Sequence, residues 1–337
     1  MDLNKLYKVK HIREWVEELE ATLWKRGDAP DLPLTTLPSL STKLWGLRRK
    51  ALTILGARTS QGKSSLALQI AADLANQGKL VWFLSLEMDV ESLVERLFCH
   101  MAQVDNYSIM SGKFKNDEDL RNRWRKFKED ISSKKLLITC DIGKNWEDIT
   151  KLLEIVGNSK PDVVVIDYVQ NISMARGDSR EIINEYLRNF RNMAIGGNFA
   201  GILCSQINRG AEEQKGHKPS MSQLKESGFL EESADVVMLL HWDGYDDATK
   251  HKLEDSAFSL IVAKNRNGRT GAHPLVYTPK FYRFEEVPAN QQPFVMPVDA
   301  QSAAAGESVD DGKLEKILDL FDAKVIDHDR DMPRRKG

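Results

Sequence analysis

Eight residues, Ala57-Arg58-Thr59-Ser60-Gln61-Gly62-Lys63-Ser64, have the types and spacing of a loop that wraps phosphates. A small residue opens the loop, a glycine precedes a lysine, and a hydroxyl follows. In such a loop successive backbone N–H groups turn inward, and the helix behind adds the positive end of its dipole. Lys63 is placed to neutralise β- and γ-phosphates, and the Ser64 hydroxyl to hold Mg2+. Ser60, Gln61, Gly62 and Ser65 complete the expected nucleotide cradle, and Gly56 keeps the approach to the turn permissive. A Gly-Lys-Ser can precede a helix by chance, so the surroundings decide.

The surroundings agree. Leu52 to Leu55 is a short apolar, β-branched run suited to a strand covered on both faces, and Ser65 to Ala75 follows as a helix. Three further residues stand where strands should end. Glu87 follows the strand Leu80–Leu84, Asp167 follows Val163–Ile166, and Gln206 follows Gly201–Cys204. In a parallel sheet, ligands sit off those ends. Asp167 there would share Mg2+ with Ser64. Glu87 would orient or deprotonate a water attacking the γ-phosphate, and Gln206 would sense that phosphate. Each alone reads as well as a helix cap or a buried polar tip; three in order after a phosphate loop favour chemistry.

The rest of the chain supplies the frame. Its 337 residues suffice for one large α/β domain with appendages. A formal net charge of −2 excludes a global basic field, so any nucleic-acid contact must be a local patch. Cys99, Cys140 and Cys204 show no metal spacing and fit buried thiols in a reducing compartment. No apolar run approaches the ~18 residues of a membrane span, and the N-terminus is not signal-like. The expectation is a cytoplasmic protein with no membrane partner.

In order, residues 1–26 read as a docking helix, Leu3 to Lys25. It carries a narrow stripe of Val9, Ile12, Val16, Leu19 and Leu23, for its own domain or for a neighbouring subunit. Residues 27–44 read as a flexible Pro/Thr/Ser connector, and 45–287 as the ATPase domain. Helices are expected at Val90–Val104, at a charged, solvent-facing Asn116–Ile131, at Trp146–Val156 and at Arg180–Ala194. Strands are expected at Leu136–Cys140, Val236–Leu240 and Phe258–Ala263, with a closing hairpin at Leu275–Tyr277 and Phe281–Phe284. Strands alternating with helices imply an α/β fold with a mostly parallel sheet. Residues 288–337 read as largely disordered, with a short amphipathic helix near 313–322.

The stretches ARTSQGKSS, FLSLEM, VVVIDYVQ, CSQINR, QLKESG, ADVVMLLH and KNRNG together resemble the RecA-like C-terminal ATPase domain of DnaB-type replicative helicases of superfamily 4. The resemblance covers residues 35–286. It implies ATP and Mg2+ as cofactors, single-stranded DNA in the channel of a hexameric homo-oligomer, 5′–3′ movement, and a role in DNA replication. It further implies that Lys264 and Arg266 of KNRNG reach a neighbour's ATP, and that Arg96 lies at the nucleotide. Lys225, Glu226 and Gly228 would grip DNA, with Arg176 and Arg209 as added phosphate contacts. Thr59 departs from the family's usual proline. The residues before the core, about 45, are expected to form a linker helix and not the family's N-terminal collar domain. A helicase loader or another replication protein would be a further partner. Two other functions stay open: a RecA-like ATPase that serves recombination or remodels a partner without unwinding, and a non-motor subunit that docks on a helicase.

Overall fold

In the computed structural model the phosphate loop springs from the middle of a nine-stranded sheet. The structure describes residues 11–24, 27–140, 146–167, 179–207, 218–224, 232–243 and 256–288. The strands are β1 (Leu52–Ala57), β2 (Val81–Ser85), β3 (Leu136–Thr139), β4 (Val163–Asp167), β5 (Ala200–Gln206), β6 (Val236–Trp242), β7 (Ser256–Asn265), β8 (Gly271–Thr278) and β9 (Arg283–Glu286). Their order is β3-β2-β4-β5-β1-β6-β7-β8-β9. From β3 to β6 neighbours run parallel; β6 to β9 pair antiparallel. The expected α/β class with a mostly parallel sheet is what the chain adopts.

The central strands are apolar throughout because each face has its own core. Leu55, Phe83 and Val165 join one cluster with Leu66, Ile70 and Leu74 of helix α3 (Lys63–Asn76). Leu52, Ile54, Trp82 and Val164 join the other, with Leu187 and Phe190 of helix α8 (Ser179–Gly197). Side chains alternate across a pleated strand, so only an uninterrupted apolar run fills both layers.

Helix α1 (Ile12–Leu23) is shorter than the expected Leu3–Lys25, whose remaining residues 3–10 and 25 lie outside the described chain. No residue of α1 is buried, and Ile12, Val16, Leu19 and Leu23 are each at least 50% exposed. Among the described residues, nothing covers the stripe. The connector departs from expectation. Leu32, Leu34, Leu37, Leu40 and Leu44 are buried in the core, the last two on a helix, α2 (Pro38–Leu44), opened by its proline. Asp73 of α3 ties the segment down by accepting from Thr36 N at 3.0 Å and from the Thr35 hydroxyl. Five leucines among prolines and hydroxyls look like a linker locally; their burial against α3 is a tertiary event.

Helix α4 (Val90–Ala102), a short α5 (Asn106–Met110) and helix α6 (Glu118–Ser132) form a subsidiary layer. The expected solvent-facing α6 does bury Leu120 and Phe127, and Trp124 meets Phe98 edge-on at 4.9 Å. Helix α7 (Trp146–Gly157) precedes β4. No helix among the described residues is long and apolar enough to cross a membrane. The expected tail over 288–337 falls almost wholly outside the described residues.

Candidate nucleotide site

Four adjacent strands end side by side at one edge of the sheet. Ala57 of β1 pairs with Gln206 of β5, and Ser85 of β2 with Asp167 of β4. Whatever follows these strands is thereby brought together. Ala57, Arg58, Thr59, Ser60, Gly62, Lys63, Ser64, Ser65, Glu87, Arg96 and Gln206 line one cavity of about 560 Å³, a size suited to a small-molecule ligand.

The loop backbone is bent to face that cavity. Ser60 and Gly62 both adopt left-handed conformations, at φ 63° and 80°. At Gly62 a Cβ would also lie 2.8 Å from Cζ of Phe284, so this turn needs glycine twice over. Lys63 then begins α3, and its ammonium is in salt-bridge contact with Oδ1 of Asp167. Burial is the largest influence on Lys63 and pulls its pKa down, but Cys204, Asp167 and Glu87 together outweigh it and leave the ammonium above its ordinary value. Asp167 is fully buried, and its Oδ2 has no hydrogen-bond partner among the described residues. Gln61 is likewise buried with neither amide atom partnered, and it does not line the cavity.

Glu87 projects at the mouth because of a local turn. The Ser85 hydroxyl donates to Met88 O at 2.8 Å and accepts from Met88 N at 3.0 Å, closing residues 85–88 into a loop. The N-cap of α4 is Asp89, not Glu87, so the carboxylate of Glu87 is not spent on capping. Burial and the nearby Asp167 push the Glu87 pKa up; Lys63 and Arg96 pull the other way without cancelling the rise. Gln206 is half-exposed and donates to the Thr59 hydroxyl at 2.6 Å, joining β5 to the loop rather than ending as a buried tip. Arg96 faces the site: its guanidinium lies 4.8 Å from the ring centroid of Tyr282 and donates to Ser65 at 3.3 Å.

Besides Met88, the cavity contains two residues that sequence reasoning did not single out. Tyr277 on β8 and Tyr282 before β9 complete its wall, Tyr282 against the Arg96 guanidinium. They came from the hairpin expected to close the sheet, and its alternation carried no sign that it folds back over the phosphate loop.

The donor set suits a hard cation. The buried, unpartnered carboxylate oxygen of Asp167 at the end of β4 and the Ser64 hydroxyl after the phosphate loop are oxygen ligands of the kind Mg2+ takes. Among the described residues no group of three or more His, Cys, Asp or Glu forms a cage. Mg2+ commonly has one or two protein ligands and completes its shell from substrate phosphates and water, so Ser64 and Asp167 fit it.

Lys264 and Arg266 are not brought to this cavity. Lys264 pairs with Val237, and Asn265 with Val236, at the start of β6, whereas Leu240 lies beside Ala57. The KNRNG turn therefore sits at the opposite end of the strands, about 16 Å away along the six residues of β1. The expected DNA-contact residues Arg176, Arg209, Lys225, Glu226 and Gly228 lie outside the described residues.

Comparison with known proteins agrees with this geometry. Residues 34–286 match the family model described as DnaB-like helicase C terminal domain. The chain is 29% identical over 269 residues to the replicative DNA helicase DnaC of Bacillus subtilis, covering 77% of this chain and 57% of that protein. It is 30% identical over 279 residues to the replicative DNA helicase DnaB of Rickettsia felis, covering 74% and 56%. The chain thus spans about half the length of these curated relatives. Among solved structures, a DnaB-like replicative helicase, described together with its interactions with primase, superposes with a TM-score of 0.72 at 23% identity. That superposition covers 83% of this chain and 68% of the other, and it is a likeness of fold. With its matched segment running from the packed connector to the last strand of the sheet, the chain belongs to the DnaB-like helicase C-terminal domain family.

Proposed function

We propose that the chain is an ATP-hydrolysing motor subunit, a DNA helicase that moves 5′ to 3′ on single-stranded DNA during replication. The observation that carries this is the convergence of Lys63, Ser64, Glu87, Asp167 and Gln206 on one edge of the sheet, with Lys264 and Arg266 held at the other. In this reading Lys264 and Arg266, which stand away from the cavity of their own chain, serve the cavity of a second copy. Head-to-tail contacts of that sort close into rings or run on as open helices; a ring of six copies follows the family resemblance.

In this reading the loop backbone and Lys63 hold the β- and γ-phosphates. Lys63 would trade part of its contact with Asp167 for the incoming phosphate, freeing Asp167 to help hold the cation. Mg2+ held by Ser64 and Asp167 would neutralise charge on the β- and γ-oxygens. Glu87, with its raised pKa, orients the attacking water and takes its proton. Gln206 exchanges its bond to Thr59 for the γ-phosphate and so relays hydrolysis to the segment after β5. Tyr282 and Arg96 offer flat faces for a nucleobase. Lys264 and Arg266 of the next copy stabilise charge developing on the γ-phosphate. DNA is held by Lys225, Glu226 and Gly228, with Arg176 and Arg209, through its backbone and without reading base edges.

The test is ATP hydrolysis with and without single-stranded DNA, beside a sizing measurement. Glu87→Gln should keep ATP binding and lose about a hundredfold or more in turnover. DNA affinity should fall steeply with salt as counterions are released. Wild-type turnover in Glu87→Gln, or an enzyme that hydrolyses ATP as a strict monomer, would overturn the reading.

A further inference from the structure

One buried carboxylate organises the end of the sheet that carries KNRNG. Asp235 stands immediately before β6 and is 8% exposed. Its Oδ2 accepts from Leu52 N at 2.9 Å, and its own N–H donates to Leu52 O at 2.8 Å, pinning the start of β1. Its Oδ1 meets two guanidiniums: Arg191 Nη2 of α8 at 3.2 Å and Arg266 Nη1 at 3.2 Å. Both arginines also clasp backbone beside it. Arg191 donates to Ser233 O at 2.8 Å and Arg266 to Glu232 O at 2.7 Å. The backbone N–H of Arg266 donates to Asp235 O at 2.9 Å.

We propose that Asp235 is a positioning residue for Arg266, presenting its guanidinium in one orientation to the phosphate site of a second copy of this chain. The proposal rests on the reading of Arg266 as the residue supplied in trans. Leu52 N and Arg191 already compensate the buried carboxylate, so the second guanidinium is not required to bury it. Arg266 gains what a long side chain otherwise lacks: its main chain and two of its terminal nitrogens are fixed against a single strand start. Its side chain nevertheless stays 41% exposed, so a ligand can still reach it. A guanidinium oriented before it meets phosphate loses less freedom on contact, and a misplacement of about 1 Å can cost a hundredfold in rate. Sharing Oδ1 with Arg191 weakens each contact, which lets Arg266 yield part of its hold to an incoming anion.

Mixed assemblies test this, because Asp235 also touches β1 and hence its own phosphate loop. Asp235→Asn is measured alone and mixed with Lys63→Ala or with Arg266→Ala, by ATP hydrolysis under conditions where assembly is confirmed. The expected result is a loss of roughly ten- to hundredfold in kcat with KM for ATP within about twofold. Activity should return on mixing with Lys63→Ala and not with Arg266→Ala. Rescue by Arg266→Ala but not by Lys63→Ala would place the defect in the variant's own loop and overturn the proposal. So would wild-type kcat in Asp235→Asn while Arg266→Ala is inactive. Wild-type kcat in assembled Arg266→Ala would remove the trans reading itself. If Asp235→Asn does not fold, Asp235→Glu keeps the charge, shifts the carboxylate by one methylene, and should fall into the same rescue class.

Discussion

The pair Lys63–Asp167 offers the sharpest test of how the site is held together without ligand. It is an ion pair with side chains 9% and 0% exposed, and the second Asp167 oxygen has no partner among the described residues. Removing one partner of a buried pair strands the other and typically costs about 3–5 kcal/mol. Here the cavity admits water to the Lys63 side, so the low end, about 3 kcal/mol, is expected for Lys63→Met. At about 2–4 °C per kcal/mol, that is a fall of roughly 6–12 °C in Tm for nucleotide-free protein. Asp167→Asn should cost a similar amount. The double variant should not cost the sum, because neither charge is then left alone; a coupling of about 2–3 kcal/mol is expected between singles and double. The pH dependence has a definite sign. Lys63 is raised above its ordinary 10.5 in the folded chain. Its contribution is therefore complete below that value and is lost as pH rises through the folded pKa. The stability gap between wild type and Lys63→Met should narrow in alkali and stay constant near neutrality. Denaturant melts of the four proteins from pH 7 to 11 read both effects. Additive single costs, or a gap unchanged at pH 11, would refute an energetically joined pair.

Two other outcomes follow from the same edge of the sheet. Gly62→Ala meets both a left-handed φ and the Phe284 ring at 2.8 Å, so it should cost about 1–3 kcal/mol and weaken ATP binding; Phe284→Leu in the same chain should recover part of the stability but not the backbone strain. The acid limb of kcat/KM should lie above the ordinary value of a glutamate because burial raises Glu87, and Arg96→Gln, which removes a cation that lowers it, should move that limb further up; an unmoved limb would separate Glu87 from the acid limb.

The local parts of this protein were legible in the chain. A phosphate loop is eight consecutive residues, its conformation a matter of Gly62 and backbone dihedrals, so spacing alone exposes it. Glu87, Asp167 and Gln206 could be assigned to strand ends because apolar runs mark where buried strands stop, and parallel packing brings such ends together. What the tertiary structure alone decided are relations between distant segments. The connector's leucines became core only because α3 presents Asp73 and an apolar face to them. Tyr277 and Tyr282 reached the cavity because β7, β8 and β9 turn back antiparallel and set Phe284 against Gly62. That Arg266 stands at the opposite end of the strands from Lys63, clasped by Asp235, depends on strand register and direction, which no short window of sequence encodes. Periodicity reports which face of an element is buried; which element buries it is settled by packing over hundreds of residues.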